Sequence, residues 1–333
     1  MGSGLKFLGL EFTRNIIAGT SNAFVGLFIG ILVTSVVQSS STTTSITVGL
    51  VGGGLMSLDQ AIPIVMGANI GTSITNTLVS LGHLRVKPEL QRAFGAAIVH
   101  DIFNIMTVVL IFPLQLKFNI LGGAAAFMEG LFEQSGGLHF VSPLKIIVTP
   151  TVHLLETMLM NNGWIIVVFA LVLLFVALRY IVKVMKSLVL KRLTIFFNKV
   201  IFRNWFMGLF FGMIVTATVQ SSSVTTSLIV PLAGAGLVTL EQVFPYTLGA
   251  NVGTTVTALM ASLVTQNATA VAVALAHLLF NIFGIVVFLP LKAIPITFAK
   301  GLAFLAVKNR IFPLLFIFVT FIGIPLLLIQ IMR

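Results

Sequence analysis

Apolar runs of uneven length make up most of this chain, and short blocks of hydroxyls and amides interrupt them. Residues 5–18 (LKFLGLEFTRNIIA) form a short amphipathic pattern with Lys6, Glu11 and Arg14, predicted to lie at a membrane interface. The start, Met1-Gly2-Ser3-Gly4, reads as an expression scar, and no cleavable signal peptide is evident. Residues 24–37 are apolar but short, and they run into Gln38-Ser39-Ser40-Ser41; residues 43–55 are apolar again, with Gly52-Gly53-Gly54 near their end. A full span needs about 20 apolar residues. Neither arm has them, so the pair is predicted to be a re-entrant helical hairpin with a polar tip. Ser57-Leu58-Asp59-Gln60 then fits the capping-box pattern and opens a helix over roughly 58–81.

Most of this pattern occurs twice. Gln220-Ser221-Ser222-Ser223 repeats the first polar block 182 positions on, and Thr239-Leu240-Glu241-Gln242 repeats the helix start. Gly67-Ala68-Asn69-Ile70-Gly71-Thr72 is matched by Gly249-Ala250-Asn251-Val252-Gly253-Thr254. Aligned without a gap, residues 24–81 and 206–263 are identical at 31 of 58 positions. The glycine pairs weaken a helix, so both helices, 58–81 and 240–263, are predicted to be broken there. The alternative use of such glycines is close helix packing. Spans at about 92–113 and 270–290 follow, sharing His100/Asn104 and His277/Asn281, with Pro113 and Pro290 nine residues after each Asn. The offset there is 177, so the preceding loop of the second repeat is five residues shorter.

Composition sets the class. Hydrophobic residues make up 58%, charged residues 8%, and the mean hydropathy is +1.13; soluble domains carry roughly 25% charged residues. The expected fold is an all-α integral membrane protein of two inverted-topology repeats, each with a re-entrant helical hairpin and a broken transmembrane helix. Six segments are expected: an N-terminal interfacial segment (1–23), repeat one (24–113), a polar extracellular connector (114–163), a span with a basic amphipathic segment (164–204), repeat two (205–290), and a cytoplasmic segment with a last span (291–333). The absence of cysteine excludes disulfides and thiol catalysis.

The net charge of +11 does not imply a nucleic-acid partner, because the basic residues lie between the apolar runs. With re-entrant hairpins, the chain trace puts loops 82–92, 179–203 and 291–310 on one side. They carry three, seven and four Lys/Arg, fourteen of the nineteen. That side is cytoplasmic by the positive-inside rule. The same trace makes repeat one enter its hairpin from outside and repeat two from inside, which is an inverted repeat. The lipid bilayer is the expected surrounding, with a multi-pass chain in a plasma membrane, here a bacterial inner membrane. The oligomeric state is left open, a homodimer included.

Paired QSSS blocks, each followed by G-A-N-[IV]-G-T, with Val99-His100-Asp101 and Asn104 in the first half, resemble the type II sodium-dependent phosphate cotransporters, and the chain looks like a compact bacterial member. The likeness covers roughly 24–113 and 206–290. It implies inward symport of sodium and inorganic phosphate, with sodium as coupling ion and no other cofactor. Two features depart from the family: His83, Val86 and Lys87 stand where eukaryotic members carry Gln, Asp and Arg, and Ala250 replaces a family Ser.

A phosphate dianion needs hydrogen-bond donors and positive potential, which half-helix N-termini supply. Gln38, Ser39, Ser40, Ser41, Gln220, Ser221, Ser222 and Ser223 would add side-chain groups, with Asn69 and Asn251 near them. No Lys or Arg lies in either block, which suits a reversible site. A serine cluster in a membrane helix otherwise serves as interhelical glue. Sodium prefers oxygen ligands, and Thr72, Thr75, Thr254, Thr257, Asn104 and Asp101 offer them. In the family the Asp of VHD is associated with an extra sodium and electrogenic transport. The alternative pairs Asp101 with His100 or Arg92. Repeat two has Leu278 at this place. His100 and His277 are expected to bond within the bundle rather than bind a transition metal. Catalysis is not expected: no G-x-S-x-G elbow is present, and no acid–base partner lies near either serine run. A phosphate exporter, a proton-coupled carrier and an anion channel are the remaining alternatives.

Overall fold

The computed structural model describes residues 22–54, 56–133, 201–265 and 267–332, with a few positions between 153 and 169. The expected interfacial segment at 1–23 and the segment at 164–204 lie almost wholly outside the described residues, as does most of 134–163. The described residues are helical, with no strand among them.

Repeat one opens with α1 (Ala23–Val37) and α2 (Ser40–Gly52). Next come α3 (Leu58–Thr72), α4 (Ile74–Ser80) and α5 (Lys87–Phe118). Helix α6 (Ile120–Glu133) lies in what the sequence suggested was connector, and α5 itself runs past Pro113. Repeat two holds α7 (Trp205–Val219), α8 (Ser222–Gly234), α9 (Leu240–Thr265) and α10 (Ala268–Phe288). The chain closes with α11 (Ala293–Lys308), α12 (Phe312–Phe318), a π-helical turn at Val319–Gly323 and α13 (Ile324–Met332).

Local chemistry fixes the helix starts. Asn22 and Asn204 cap α1 and α7, accepting from the N–H groups of Phe24 and Met207 at 2.9 and 2.8 Å. Ser57 and Gln60 complete a reciprocal capping box at the start of α3. At the start of α9, Gln242 Oε1 accepts from the Thr239 N–H at 2.9 Å.

The broken-helix expectation needs correction. In repeat two, α9 runs unbroken through Gly249–Thr254. In repeat one the interruption falls at Ser73, after the glycine segment, and Gly67–Thr72 is helical. The glycines serve close packing instead. A Cβ on Gly67 would be driven into the Leu27 carbonyl of α1, and one on Gly30 into the Ile64 carbonyl of α3. Gly249 and Gly212 stand in the same relation to Leu209 and Tyr246. Each pair lets two helix backbones touch, which offsets the glycines' weak helix propensity.

Among the described residues, four stretches are long and apolar enough to cross a membrane: Leu58–His83, Lys87–Phe118, Ala268–Phe288 and Phe312–Met332. At 1.5 Å per residue, α1 and α7 are about 22 Å long and α2 and α8 about 20 Å, short of the ~30 Å hydrocarbon core. The first arm of each hairpin packs within its own repeat, α1 on α3 and α7 on α9. The second arm also reaches across: α2 lies against α9 and α10, and α8 against α4 and α5. The repeats are therefore interlocked, and Phe94, Phe103, Phe244 and Phe280 fill the space between them.

Candidate functional site

The two polar tips have the same construction. Gln38 and Gln220 each end a helix in the left-handed region, at φ 55° and 57°. Non-glycine residues rarely adopt that conformation, and it costs on the order of 1–3 kcal/mol. Thr34 bonds Thr43 across the first tip at 2.9 Å, and Thr216 bonds Thr225 across the second at 2.6 Å. These hydroxyl pairs fold each hairpin back on itself.

Within each block the three serines divide the work. The first caps the second arm: Ser39 Oγ accepts from the Thr42 N–H at 3.2 Å, and Ser221 Oγ from the Val224 N–H at 3.3 Å. The third reaches the opposite tip. Ser41 Oγ donates to the Gln220 carbonyl at 3.2 Å, and Ser223 Oγ donates to the Gln38 carbonyl at 3.1 Å. Each tip thus donates to the other through its third serine. The middle serines, Ser40 and Ser222, head α2 and α8. Their hydroxyls remain available, as do the first backbone N–H groups of both helices. The buried Gln38 Oε1 has no partner, while the Gln220 amide lies against Met260 Sδ at 3.4 Å. The eight tip residues of the sequence reading thus come together in one place.

The glycine helices bring the asparagines behind the tips. Asn69 Nδ2 donates to the Val65 carbonyl. Its Oδ1 faces His277 Nε2 at 3.3 Å, and Asn251 Oδ1 faces His100 Nε2 at 2.6 Å. Asn104 joins both halves, donating to the Asn69 carbonyl and accepting from Asn251 Nδ2, each at 2.7 Å. Thr72 and Thr254 bond back to the carbonyls of Ala68 and Ala250 at 2.9 and 3.0 Å. One turn further, the equivalent Thr75 and Thr257 each present a buried hydroxyl oxygen with no partner.

Asp101 is fully buried on α5. Thr77 donates to its Oδ2 at 2.9 Å, and its Oδ1 has no partner. The alternative pairings do not occur: His100 is held by Asn251 and Asn76, and Arg92 donates through Nε and Nη2 to the Gly234 carbonyl. His83 is buried and pairs with Glu89 at 2.8 Å. No group of three or more His, Cys, Asp or Glu able to hold a metal occurs among the described residues.

Sequence reasoning did not single out Asn76, Thr77 or Thr226. Thr226 Oγ1 lies 2.9 Å from Asn76 Oδ1, and Asn76 Nδ2 lies 3.2 Å from His100 Nδ1. The signal available was the repeat alignment itself, where Asn76 and Thr77 oppose Ala258 and Leu259.

Tips of this construction, duplicated and interlocked inside apolar helices, define a multi-pass membrane protein with a buried polar site shared by two repeats. The chain matches the Na+/Pi-cotransporter family over residues 1–132 and 172–327 and belongs to it. It is 33% identical over 401 residues to the rat sodium-dependent phosphate transport protein 2A, covering 97% of this chain and 62% of that protein. The sheep 2A protein is 34% identical over 403 residues (97% and 63%), and the human 2B protein 31% over 419 (97% and 60%). The chain thus spans about three fifths of the length of these curated relatives. No solved structure matches it.

Proposed function

We propose that this protein is a sodium-coupled symporter of inorganic phosphate, working by alternating access in a bacterial inner membrane, and not an enzyme. The observation that carries the proposal is the meeting of the two serine tips through the reciprocal Ser41–Gln220 and Ser223–Gln38 bonds. Ser40, Ser222 and the adjoining helix N-termini supply donors to one phosphate, and the remaining tip residues with Asn69 and Asn251 shape its surroundings. Hydrogen bonds to a charged partner are each worth about 1.5–3 kcal/mol, so several neutral donors hold an anion without a lysine.

Sodium takes neutral oxygens from Thr72, Thr75, Thr254, Thr257 and Asn104. The unpartnered oxygens of Thr75 and Thr257 favour this role. Asp101 adds a carboxylate for a further cation, which makes transport electrogenic. The short arms are read as re-entrant hairpins, since they fall short of the bilayer thickness. Their opposite insertion makes the repeats inverted, the usual basis of alternating access.

Proteoliposomes test the proposal, with labelled phosphate and an imposed sodium, potassium or proton gradient. Saturable uptake driven only by inward sodium is expected. Equal uptake in potassium with a proton gradient rejects sodium coupling. Flux linear in phosphate indicates a channel, and net efflux under the same gradient indicates an exporter.

A further inference from the structure

Behind the tips, the repeats are tied by two bonds of the same chemistry. His100 on α5 meets Asn251 on α9, and His277 on α10 meets Asn69 on α3. Both bonds cross from one repeat to the other, and all four side chains are buried. The two bonds differ in length. The first is 2.6 Å and tight; the second, at 3.3 Å, lies beyond the usual range for a nitrogen donor and an oxygen acceptor. Equivalent residues in equivalent positions are thus held differently, so the repeats do not sit symmetrically on one another. An arrangement with the roles exchanged uses the same residue pairs.

The histidines are also anchored differently. His100 Nδ1 is held by Asn76, which in turn lies against Thr226, and Thr226 lies against the Ser222 carbonyl of the second tip at 2.6 Å. A continuous polar chain therefore runs Asn251–His100–Asn76–Thr226–Ser222. In repeat two Asn76 is replaced by Ala258, and the buried His277 Nδ1 has no partner.

We propose that the two His–Asn bonds are paired latches of the transport cycle, one short and one stretched in each state and exchanged between states. His100 and His277 are positioning residues: they act on Asn251 and Asn69 and through them on the site. The clamp by Asn76 makes the His100 latch the stronger, which biases the carrier toward the state described here. This inference rests on the transport reading above.

The absence of native cysteine makes the test direct. Single cysteines are placed at the equivalent, partly exposed positions Thr42→Cys and Val224→Cys. Their labelling by a membrane-impermeant thiol reagent is timed in right-side-out vesicles without phosphate. His100→Ala releases the closed latch, and His277→Ala releases the stretched one, so the labelling rate of a given reporter changes in opposite directions. A change of roughly three- to tenfold each way is expected, the population shift set by one net hydrogen bond. Asn76→Ala moves the rate as His100→Ala does, by less. His100→Gln, whose amide still donates to Asn251, restores the wild-type rate. Changes of the same sign in both histidine variants, or unchanged rates in variants with normal melting curves, overturn the proposal. If His100→Ala does not fold, Asn76→Ala and His277→Ala give the same test of opposite signs. Phosphate uptake by the wild type judges the transport reading separately, because the labelling is scored without phosphate.

Discussion

Repeat one and repeat two build the same tip, the same glycine-packed helix pair and the same His–Asn crossing, yet they differ behind the site. Repeat one carries Asn76, Thr77 and Asp101; repeat two has Ala258, Leu259 and Leu278 in their places. Thr77 and Asp101 are bonded to each other, and their counterparts are both leucine. Where one repeat has a bonded polar pair, the other has an apolar pair, which is what burial demands. A buried carboxylate without a donor is costly, and so is a donor without an acceptor. The equivalent span of repeat two carries Leu278 and has no carboxylate there. One of the Asp101 carboxylate oxygens is left without a partner, and the cation proposed there would offset its burial cost.

The harshest way to break the likeness between repeats is at the glycines. Gly67→Leu and Gly249→Leu each force a side chain into a facing backbone carbonyl, which cannot move aside as a flexible side chain does. Costs above ~3 kcal/mol are expected. Neither variant should give monodisperse protein by size exclusion, and tolerance at one position alone would mean that the two packings differ. Next in size are the middle serines. Ser40→Ala and Ser222→Ala each remove one donor, worth about 1.5–3 kcal/mol toward a charged partner. Phosphate affinity, measured as uptake half-saturation, should fall tenfold or more in both, with melting unchanged. Normal affinity in either variant would break the shared-site reading.

Asp101 sharpens the contrast. Giving repeat one the residues of repeat two, Thr77→Leu with Asp101→Leu, should leave thermal stability within about 1 kcal/mol of wild type, as replacing a buried polar pair by apolar groups often does. Current per transported phosphate should drop by one charge, and Asp101→Gly should do the same while uptake stays sodium-dependent. Asp101→Asn should weaken sodium activation without eliminating phosphate binding. An unaltered ratio of charge to phosphate in a folded variant would remove Asp101 from the ion path. The smallest expected effect is at the caps: Gln60→Ala and Gln242→Ala remove the acceptors of the Ser57 and Thr239 N–H groups and should each cost about 1 kcal/mol. Unequal losses in thermal melting would show that the two helix starts are not held alike.

Much of this arrangement was legible in the chain. The duplicated blocks placed both tips, and Ser57–Gln60 and Thr239–Gln242 marked both helix starts. The expected break is displaced to Ser73 in repeat one, just past the glycine segment, and is missing in repeat two, where tertiary packing kept the helix through Gly249–Thr254. Local pattern also could not reveal that the second arms cross into the opposite repeat, because that contact joins residues about 180 positions apart. For the same reason Thr77, one helix away, was not foreseen as the partner of Asp101, while sequence neighbours such as His100 and Arg92 were.

The exchange of serine hydroxyls between Gln38 and Gln220 carbonyls has a consequence for what the site can accept. The two ends are not identical: Gln38 Oε1 is an acceptor without a partner, while the Gln220 amide rests on Met260 Sδ. A hydrogen phosphate dianion is unequal too, with one P–OH donor and three bare oxygens. On the transport reading, Gln38 accepts from that hydroxyl, a bond that esterification of the oxygen removes. Competition by arsenate, which keeps the hydroxyl, without competition by a monoester of equal charge, is its measurable sign.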